Sequence, residues 1–352
     1  MDCDCSGIVG AIFAPALATY SAWVSETNSQ GGIDGHPVKL LYADDGGSST
    51  QDLQNVEHFV LDEHAIALVN LFASSGGTSP VRTFAQNHNI PIVGGDGVED
   101  DWFQSPVMFD PSASTQADEY AWAAEMKRLG LTNVGAIYCA ESSNCAHLEQ
   151  GWKAYASQVG LKVTYESEQS LATPNFSANC INARSNGVQA ILVVMDGASA
   201  TRLAGNCSQQ GYNPPYVPAI LLDHPPADMN GSIGALDVFP WFLTSGSPAL
   251  SEYGAAVRRY VHTPLDNFSA KGWVNAKLLQ AALTGHVSAV PTSKEIFDGL
   301  AALSGSTLGG LTGPLSFPAG KAHPPLVCTY KIVAENGQWT APQGMSLGDC
   351  MP

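Results

Sequence analysis

Carboxylates, hydroxyls and glycines gather immediately after several short apolar runs of this chain. Ser74-Ser75-Gly76-Gly77-Thr78 follows one run and precedes a helical pattern, where small residues let backbone N–H groups and hydroxyls face an anion such as a carboxylate. An ordinary helix-capping turn reads the same residues equally well. Gly94-Gly95-Asp96-Gly97 could bring backbone close to a ligand with one carboxylate beside it, and a plain Asp-Gly turn is its alternative. Asp196 and Asp223 each close a strongly apolar run, where a carboxylate can accept from a ligand ammonium or amide. Helix capping by Asp196 and turn formation by Asp223 stand against that. Ser142-Ser143-Asn144 occupies the same kind of position after another run.

Reaction chemistry is not encoded in any familiar pattern. The chain has no G-x-S-x-G elbow, no G-x-x-x-x-G-K-[ST] loop, no H-E-x-x-H, and no G-x-G-x-x-G opening a helix after its first strand-like run. Cys139, Cys145 and His147 fit no common zinc spacing, so neither a metal nor a cofactor is expected. The same search argues against an enzyme.

The positioning elements follow from hydrophobic pattern. Gly7-Ile8-Val9-Gly10-Ala11-Ile12-Phe13, Ile66-Ala67-Leu68-Val69, Val134-Gly135-Ala136-Ile137-Tyr138, Ala190-Ile191-Leu192-Val193-Val194 and Ala219-Ile220-Leu221-Leu222 are apolar on both faces, as buried parallel strands are. Helix-period segments lie between them, behind the Ser49-x-x-Asp52 start and behind Ser114. Ser247-Pro248 opens another helix, a long helix is expected over about 268–283, and Cys328 to Val333 with Gln338 to Thr340 reads as a hairpin. Strand–helix alternation implies α/β lobes, each a mostly parallel sheet flanked by helices. In such sheets ligands sit at the carboxyl ends of the strands, which is where the residues above fall.

About four strand–helix units precede Asp110-Pro111 and about three lie between there and Leu243, too many for one doubly wound sheet. Breaks in neighbourhood at 109–111, 244–248 and 320–325 imply three crossings between two lobes: 1–111 with 244–324, and 112–243 with 325–352. The ligand cleft is expected between them.

With 352 residues, 15 Lys plus Arg and 32 Asp plus Glu, the chain carries a formal charge of −17, which disfavours nucleic acid and anionic membrane surfaces as partners. The N-terminus, Met1-Asp2-Cys3-Asp4-Cys5, lacks the basic and apolar regions of a signal peptide and reads as a trimmed mature protein with an added Met. Eight cysteines fit an exported, disulfide-bonded protein, with Cys139–Cys145, Cys180–Cys207 and Cys328–Cys350 as pairs near in the chain. Reduced, buried cytosolic thiols are the alternative.

Asn28-Ser29-Gln30-Gly31-Gly32-Ile33-Asp34-Gly35, the strand-like Val38-Lys39-Leu40-Leu41-Tyr42-Ala43-Asp44-Asp45, Ser74 to Pro80, Asn89-Ile90-Pro91-Ile92-Val93, Leu129 to Val134, Gly187 to Ile191 and Gly313 to Gly320 together form a recognisable series. It resembles the type I periplasmic solute-binding proteins, in the branch of leucine/isoleucine/valine-binding proteins of ABC transporters, over essentially the whole chain. The resemblance implies two lobes joined by a three-strand hinge, which close on a small solute, catalyse nothing, and present the closed form to a membrane permease. It implies a periplasmic or cell-surface protein, acting as a monomer. Cys3 or Cys5 is open to lipidation or to disulfide bonding, and a C-x-C pair bridging itself is expected to be strained. By resemblance, Ser74 and Ser75 hold a ligand carboxylate and Asp223 meets an ammonium; Gly95, Asp96, Gly97, Asn144 and Asp196 complete the expected site.

Departures from the pattern bear on the solute. Asp96-Gly97 stands where those relatives carry a small residue and Thr, and two expected Tyr positions read Ser143-Asn144-Cys145 and Asp196-Gly197-Ala198. The stretch from Phe13 to Tyr20 is several residues shorter than usual. An acidic site lined by Asp96, Asp196 and Asp223 would suit a cationic or N–H-rich solute. A sensory ligand-binding domain of the same fold remains the alternative to a transport protein.

Overall fold

The computed structural model describes residues 1–6, 10–73, 76–173 and 175–352. The chain forms two compact units, Met1–Ala113 with Leu243–Leu326 and Ser114–Phe242 with Val327–Pro352, passing from one to the other after Ala113, Phe242 and Leu326.

The first unit begins with β1 (Asp2–Cys3), α1 (Gly10–Ser29), β2 (Ala43–Asp44), α2 (Ser49–Glu57), β3 (Leu68–Leu71), α3 (Thr78–His88), β4 (Ile92–Gly95), α4 (Asp101–Gln104) and β5 (Met108–Phe109). β1 pairs in parallel with β2, β3–β4–β5 form a parallel sheet, and a bridge from Cys3 to Phe72 joins the two groups. Val56, Leu68, Val81, Phe84, Ile92, Trp102 and Met108 pack into one core.

The expected first strand is corrected here. Residues 7–9 lie outside the described ones, and Gly10 to Phe13 open the 20-residue helix α1 instead. An apolar run of this length is compatible with either period. Burial decides, because Ala16, Thr19, Tyr20, Trp23 and Thr27 recur at helical spacing and face inward. Gly272 lets the two backbones meet there: a Cβ on it would collide with the carbonyl of Ala16. The strand expected over Val38 to Asp45 is only Ala43–Asp44, since β1 offers a two-residue partner. The run expected from Ile66 is displaced to Leu68–Leu71.

The second unit contains α5 (Thr115–Arg128), β6 (Asn133–Cys139), α6 (Ser143–Gln158), β7 (Lys162–Gln169), α7 (Ser177–Ser185), β8 (Ala190–Val194), α8 (Gly197–Ser208), β9 (Tyr216–Pro218) and β10 (Ile233–Leu236). The strand order β7–β6–β8–β9 is parallel throughout. Along β8 the side chains alternate between two cores: Ile191 and Val193 pack with Ile137, Leu203 and Tyr216, while Leu192 and Val194 pack with Trp122, Ala136 and Trp152. Burial on both faces explains the unbroken apolar run. The strand expected at 219–222 is corrected to Tyr216–Pro218; Ala219 N–H makes the last ladder bond, to Val193 O at 2.9 Å, and the chain then leaves the sheet.

The return stretch adds α9 (Pro248–Tyr260), α10 (Asn267–Leu283), α11 (Ser293–Ala302), β11 (Ser304–Ser306) and β12 (Leu315–Ser316) to the first unit. Ser247 caps α9 with Pro248 at its first position, and Asp266 with Ser269 forms a capping box on α10. The expected hairpin is β13 (Tyr330–Glu335) with β14 (Gln338–Thr340), and β10–β13–β14 make an antiparallel sheet in the second unit. The three expected disulfides are present, and Cys3 bonds to Cys5, so all eight thiols are paired. No helix among the described residues is long and apolar enough to cross a membrane.

Candidate functional site

In the first unit the expected site residues follow β3 and β4. Ser74 and Ser75 lie outside the described residues. The 94–97 turn is packed tightly from beneath. Gly94 has φ +72° and would drive a Cβ into the Asn275 side chain, Gly95 would meet the Trp102 ring, and Gly97, at φ +67°, would meet the Asp110 carboxylate. These glycines are set by close protein packing and by left-handed backbone.

Asp96 is buried between them. Its Oδ1 accepts from Val98 N–H at 3.0 Å and from Trp102 Nε1–H at 3.0 Å. Burial pushes its carboxyl up to about 6, opposed by the Val98 N–H and by the nearby Lys271 charge. Lys271 Nζ, itself buried on α10, donates to Asp96 O at 2.5 Å. One turn on, Asn275 Nδ2 donates to Asn70 Oδ1 at 2.7 Å and to Gly95 O at 3.2 Å. Thus α10 supports the carboxyl ends of β3 and β4 through two polar side chains. The sequence reading passed over both, although a lone lysine between Ala270 and Gly272 in an apolar helix was a visible signal.

In the second unit the three remaining residues sit after β6, β8 and β9. Asn144 is half-buried in the first turn of α6, where Ser142 Oγ accepts its N–H at 3.3 Å and the Cys139–Cys145 disulfide fastens the helix start to the strand end. Asp196 caps α8, accepting from Ser199 N–H at 3.0 Å and from Ser199 Oγ–H at 2.6 Å. Arg202 Nη2 donates to that same Ser199 Oγ at 2.8 Å. Asp223 is freer, with its side chain 36% exposed and His224 Nε2 at 3.5 Å. Leu222 packs directly on Gly197, and Trp339 Nε1–H donates to Leu222 O at 2.8 Å. The turns that carry Asp196 and Asp223 therefore lie side by side.

Two of the three acids expected to face a solute, Asp96 and Asp196, are thus engaged by neighbours in their own unit. Asp223 retains the most available carboxylate.

A second acidic group lies elsewhere in the first unit. Among the described residues, Asp2, Asp45 and Asp52 place carboxylate oxygens within 4.8 Å of one another, all buried. Asn55 Nδ2 donates to Asp2 Oδ1 at 2.8 Å, and Asp45 Oδ1 accepts from Gly47 N–H at 2.6 Å. Burial, reinforced by mutual repulsion, raises the Asp2 carboxyl and holds Asp45 at about 6. Such a group can retain a proton.

The family described as periplasmic binding protein matches residues 3–337. No curated protein matches the chain. A branched-chain amino acid ABC transporter protein from Thermus thermophilus, solved with bound valine, superimposes with a TM-score of 0.82 at 14% identity, covering 97% of this chain and 94% of its own. A substrate-binding periplasmic protein from Ralstonia solanacearum gives 0.80 at 19% identity, covering 96% and 98%. A solute-binding protein of an ABC transporter from R. palustris, in complex with benzoate, gives 0.79 at 15% identity, covering 99% and 96%.

Proposed function

Because the chain belongs to the periplasmic binding protein family, we propose that it is the extracytoplasmic solute-binding protein of an ABC importer. Its role in that family is to bind a ligand for a transporter or receptor. In our reading it captures an amino acid or a similarly small nitrogen-containing compound by hinge closure, and delivers it as a monomer to a membrane permease. The ligand shifts the hinge equilibrium by binding the closed form better than the open one.

The observation that carries this reading is the family match over residues 3–337. The residues proposed to touch solute are Ser74, Ser75, Gly95, Asp96, Gly97, Asn144, Asp196 and Asp223. Within that set, the roles divide by how each side chain is already engaged. Asp223 is the proposed ammonium partner, since its carboxylate is partly exposed and weakly paired. Asp96 and Asp196 are proposed to shape the site through backbone they hold in place. This division favours a zwitterion over a dication. The bound valine and benzoate of the two structural neighbours agree with a small carboxylate-bearing solute.

The test is thermal unfolding against amino acids, polyamines, amides and aromatic acids, because a ligand at 100 times its dissociation constant adds about 2.7 kcal/mol. A zwitterionic amino acid is expected to raise the melting temperature and Asp223→Ala to abolish the shift. Stabilisation by polyamines alone would overturn the assignment of solute class. Silence across the whole library would overturn the proposal of a small nitrogen-containing solute.

A further inference from the structure

Three buried carboxylates in the first unit converge from separate elements. Asp2 lies in β1, Asp45 one residue beyond β2, and Asp52 in the first turn of α2, and an oxygen from each stands within 4.8 Å of the others. The parallel pairing of β1 with β2, Cys3 opposite Asp44, brings the first two together. None of the three is among the proposed solute contacts. Asp2 and Asp45 are each fastened through one oxygen only. Asp2 Oδ1 accepts from Asn55 Nδ2–H at 2.8 Å, and Asp45 Oδ1 accepts from Gly47 N–H at 2.6 Å and Ser48 N–H at 3.2 Å. No donor among the described residues reaches either Oδ2. Asp52 is the side chain that both acids meet.

A fourth carboxylate points at the same turn. Asp4 is 4% exposed, its Oδ1 has no hydrogen-bond partner among the described residues, and its oxygens lie 3.5 and 3.7 Å from where a Cβ on Gly47 would stand. Every side-chain charge acting on Asp4 and Asp45 is that of another carboxylate. Burying such groups with no positive charge beside them is costly, so carboxylates that face one another need either shared protons or a cation between them. The orphaned oxygens of Asp2, Asp45 and Asp4 therefore mark a place for positive charge that no lysine or arginine fills.

We propose that Asp2, Asp45 and Asp52 bind one calcium ion, with Asp4 adding negative charge beside it. The donor set is oxygen alone, since Cys3 and Cys5 are bonded to each other, and oxygen donors select hard cations. Calcium–oxygen bonds are long enough for oxygens up to about 5 Å apart to share one ion. A carboxylate held through its second oxygen, as Asp2 is by Asn55 and Asp45 by two backbone amides, is the usual support of a metal ligand. Magnesium keeps several of its waters, which a group this buried disfavours. The ion ties β1, the turn after β2 and the start of α2 to one another, so its role is to stabilise the first unit.

The experiment dialyses the whole chain against EDTA and follows thermal unfolding in calcium chloride, in magnesium chloride at equal ionic strength, and in neither. Saturating calcium is expected to raise the melting temperature by about 5 °C, with calorimetry counting a single ion per chain. Asp45→Asn and Asp52→Asn should each lose that shift. In EDTA both should melt at or above the parent, because one repelling charge has gone. On the parent itself, calcium is expected to move the NMR signals of the Gly47 and Ser48 amides and of the Asn55 side-chain amide, which bond the proposed ligands. Should a variant fail to fold, that map decides. No calcium shift in the parent, the result expected of a group that holds protons instead, would overturn the site. So would a shift kept by both variants, or signal changes confined to other residues. An equal effect of magnesium would overturn the choice of calcium. Solute is absent throughout, so this outcome is separate from that of the transport reading.

Discussion

Lys271 Nζ donates to the carbonyl oxygen of Asp96 at 2.5 Å, with both side chains buried at the carboxyl end of β4. A cation on α10 thus stabilises the turn whose own carboxylate points at Trp102 Nε1. The arrangement couples the longest helix of the return stretch to one of the proposed binding turns. It also places an acid in a poorly hydrated position, with a consequence for pH dependence.

The Asp96 carboxyl is raised from 3.8 to about 6, so the folded chain binds this proton more readily than the unfolded one. Its favourable contribution is complete below about pH 4 and is lost as pH rises through 6, an effect of roughly 2–3 kcal/mol. Asp4 and Asp45, each also raised to about 6, act in the same direction. Asp96→Asn is expected to flatten, but not abolish, the gain in stability between pH 7.5 and pH 4.5. Urea unfolding of both chains at constant salt reads the difference. An unchanged slope in the variant would refute it.

His323 works in the opposite sense. Its Nε2 accepts from Asp110 N–H at 3.2 Å and its Nδ1 faces Pro324 O at 3.0 Å, which fixes a neutral ring proton on Nδ1. Burial lowers the imidazole from 6.5 to about 4. Between those values the unfolded chain takes up a proton that the folded chain refuses, so stability falls as pH drops, by about 3 kcal/mol. His323→Gln should lose this acid sensitivity, giving a chain less stable than the parent at pH 7 and closer to it at pH 4. NMR titration of the ring in the folded parent is the direct check; a midpoint near 6.5 would contradict the burial argument.

Gly97→Ala tests whether the 94–97 turn is held by packing. Gly97 combines φ +67° with the Asp110 carboxylate in the space a methyl would need, whereas Gly211, at φ +66°, has nothing within 4 Å. Left-handed backbone alone costs an alanine about 1 kcal/mol. Gly211→Ala should show about that loss, and Gly97→Ala about 2 kcal/mol or more. Equal losses in denaturant unfolding would remove the argument for close packing at Gly97.

The Cys180–Cys207 disulfide ties α7 to α8 across a sequence separation of 27. Closing a loop of that length restricts the unfolded chain by about 3–4 kcal/mol. Replacing both cysteines by Ala is expected to lower stability by that order while leaving the Asp196 cap on α8 in place. A double variant as stable as the parent under oxidising conditions would rule out a stabilising role.

Much of the architecture was legible in the chain. The N-x-x-G-G-I-x-G turn, the doubly apolar strands and the capped helices after Ser114 and Ser247 are local patterns, and local patterns survive folding unchanged. The pairs Cys139–Cys145, Cys180–Cys207 and Cys328–Cys350 were legible too, from proximity in the chain. The errors share one cause. Gly10 to Phe13 became helix, 219–222 left the sheet, and Val38 to Tyr42 formed no strand, because a strand exists only where another strand meets it.

Side-chain engagement was beyond the sequence for a related reason. Asp96, Asp196 and Asp223 look alike in the chain, each an acid after an apolar run. The folded backbone around each acid separates them: Trp102 and Val98 occupy the first, Ser199 the second, and the third keeps a partly exposed carboxylate beside His224. Sequence determined the period, the caps, the charge and the family pattern, all set by residues near one another along the chain. Which lysine reaches the Asp96 carbonyl and which strands meet were decided only by residues far apart in the chain coming into hydrogen-bond distance, as Lys271 does with Asp96 and Asp110 with His323.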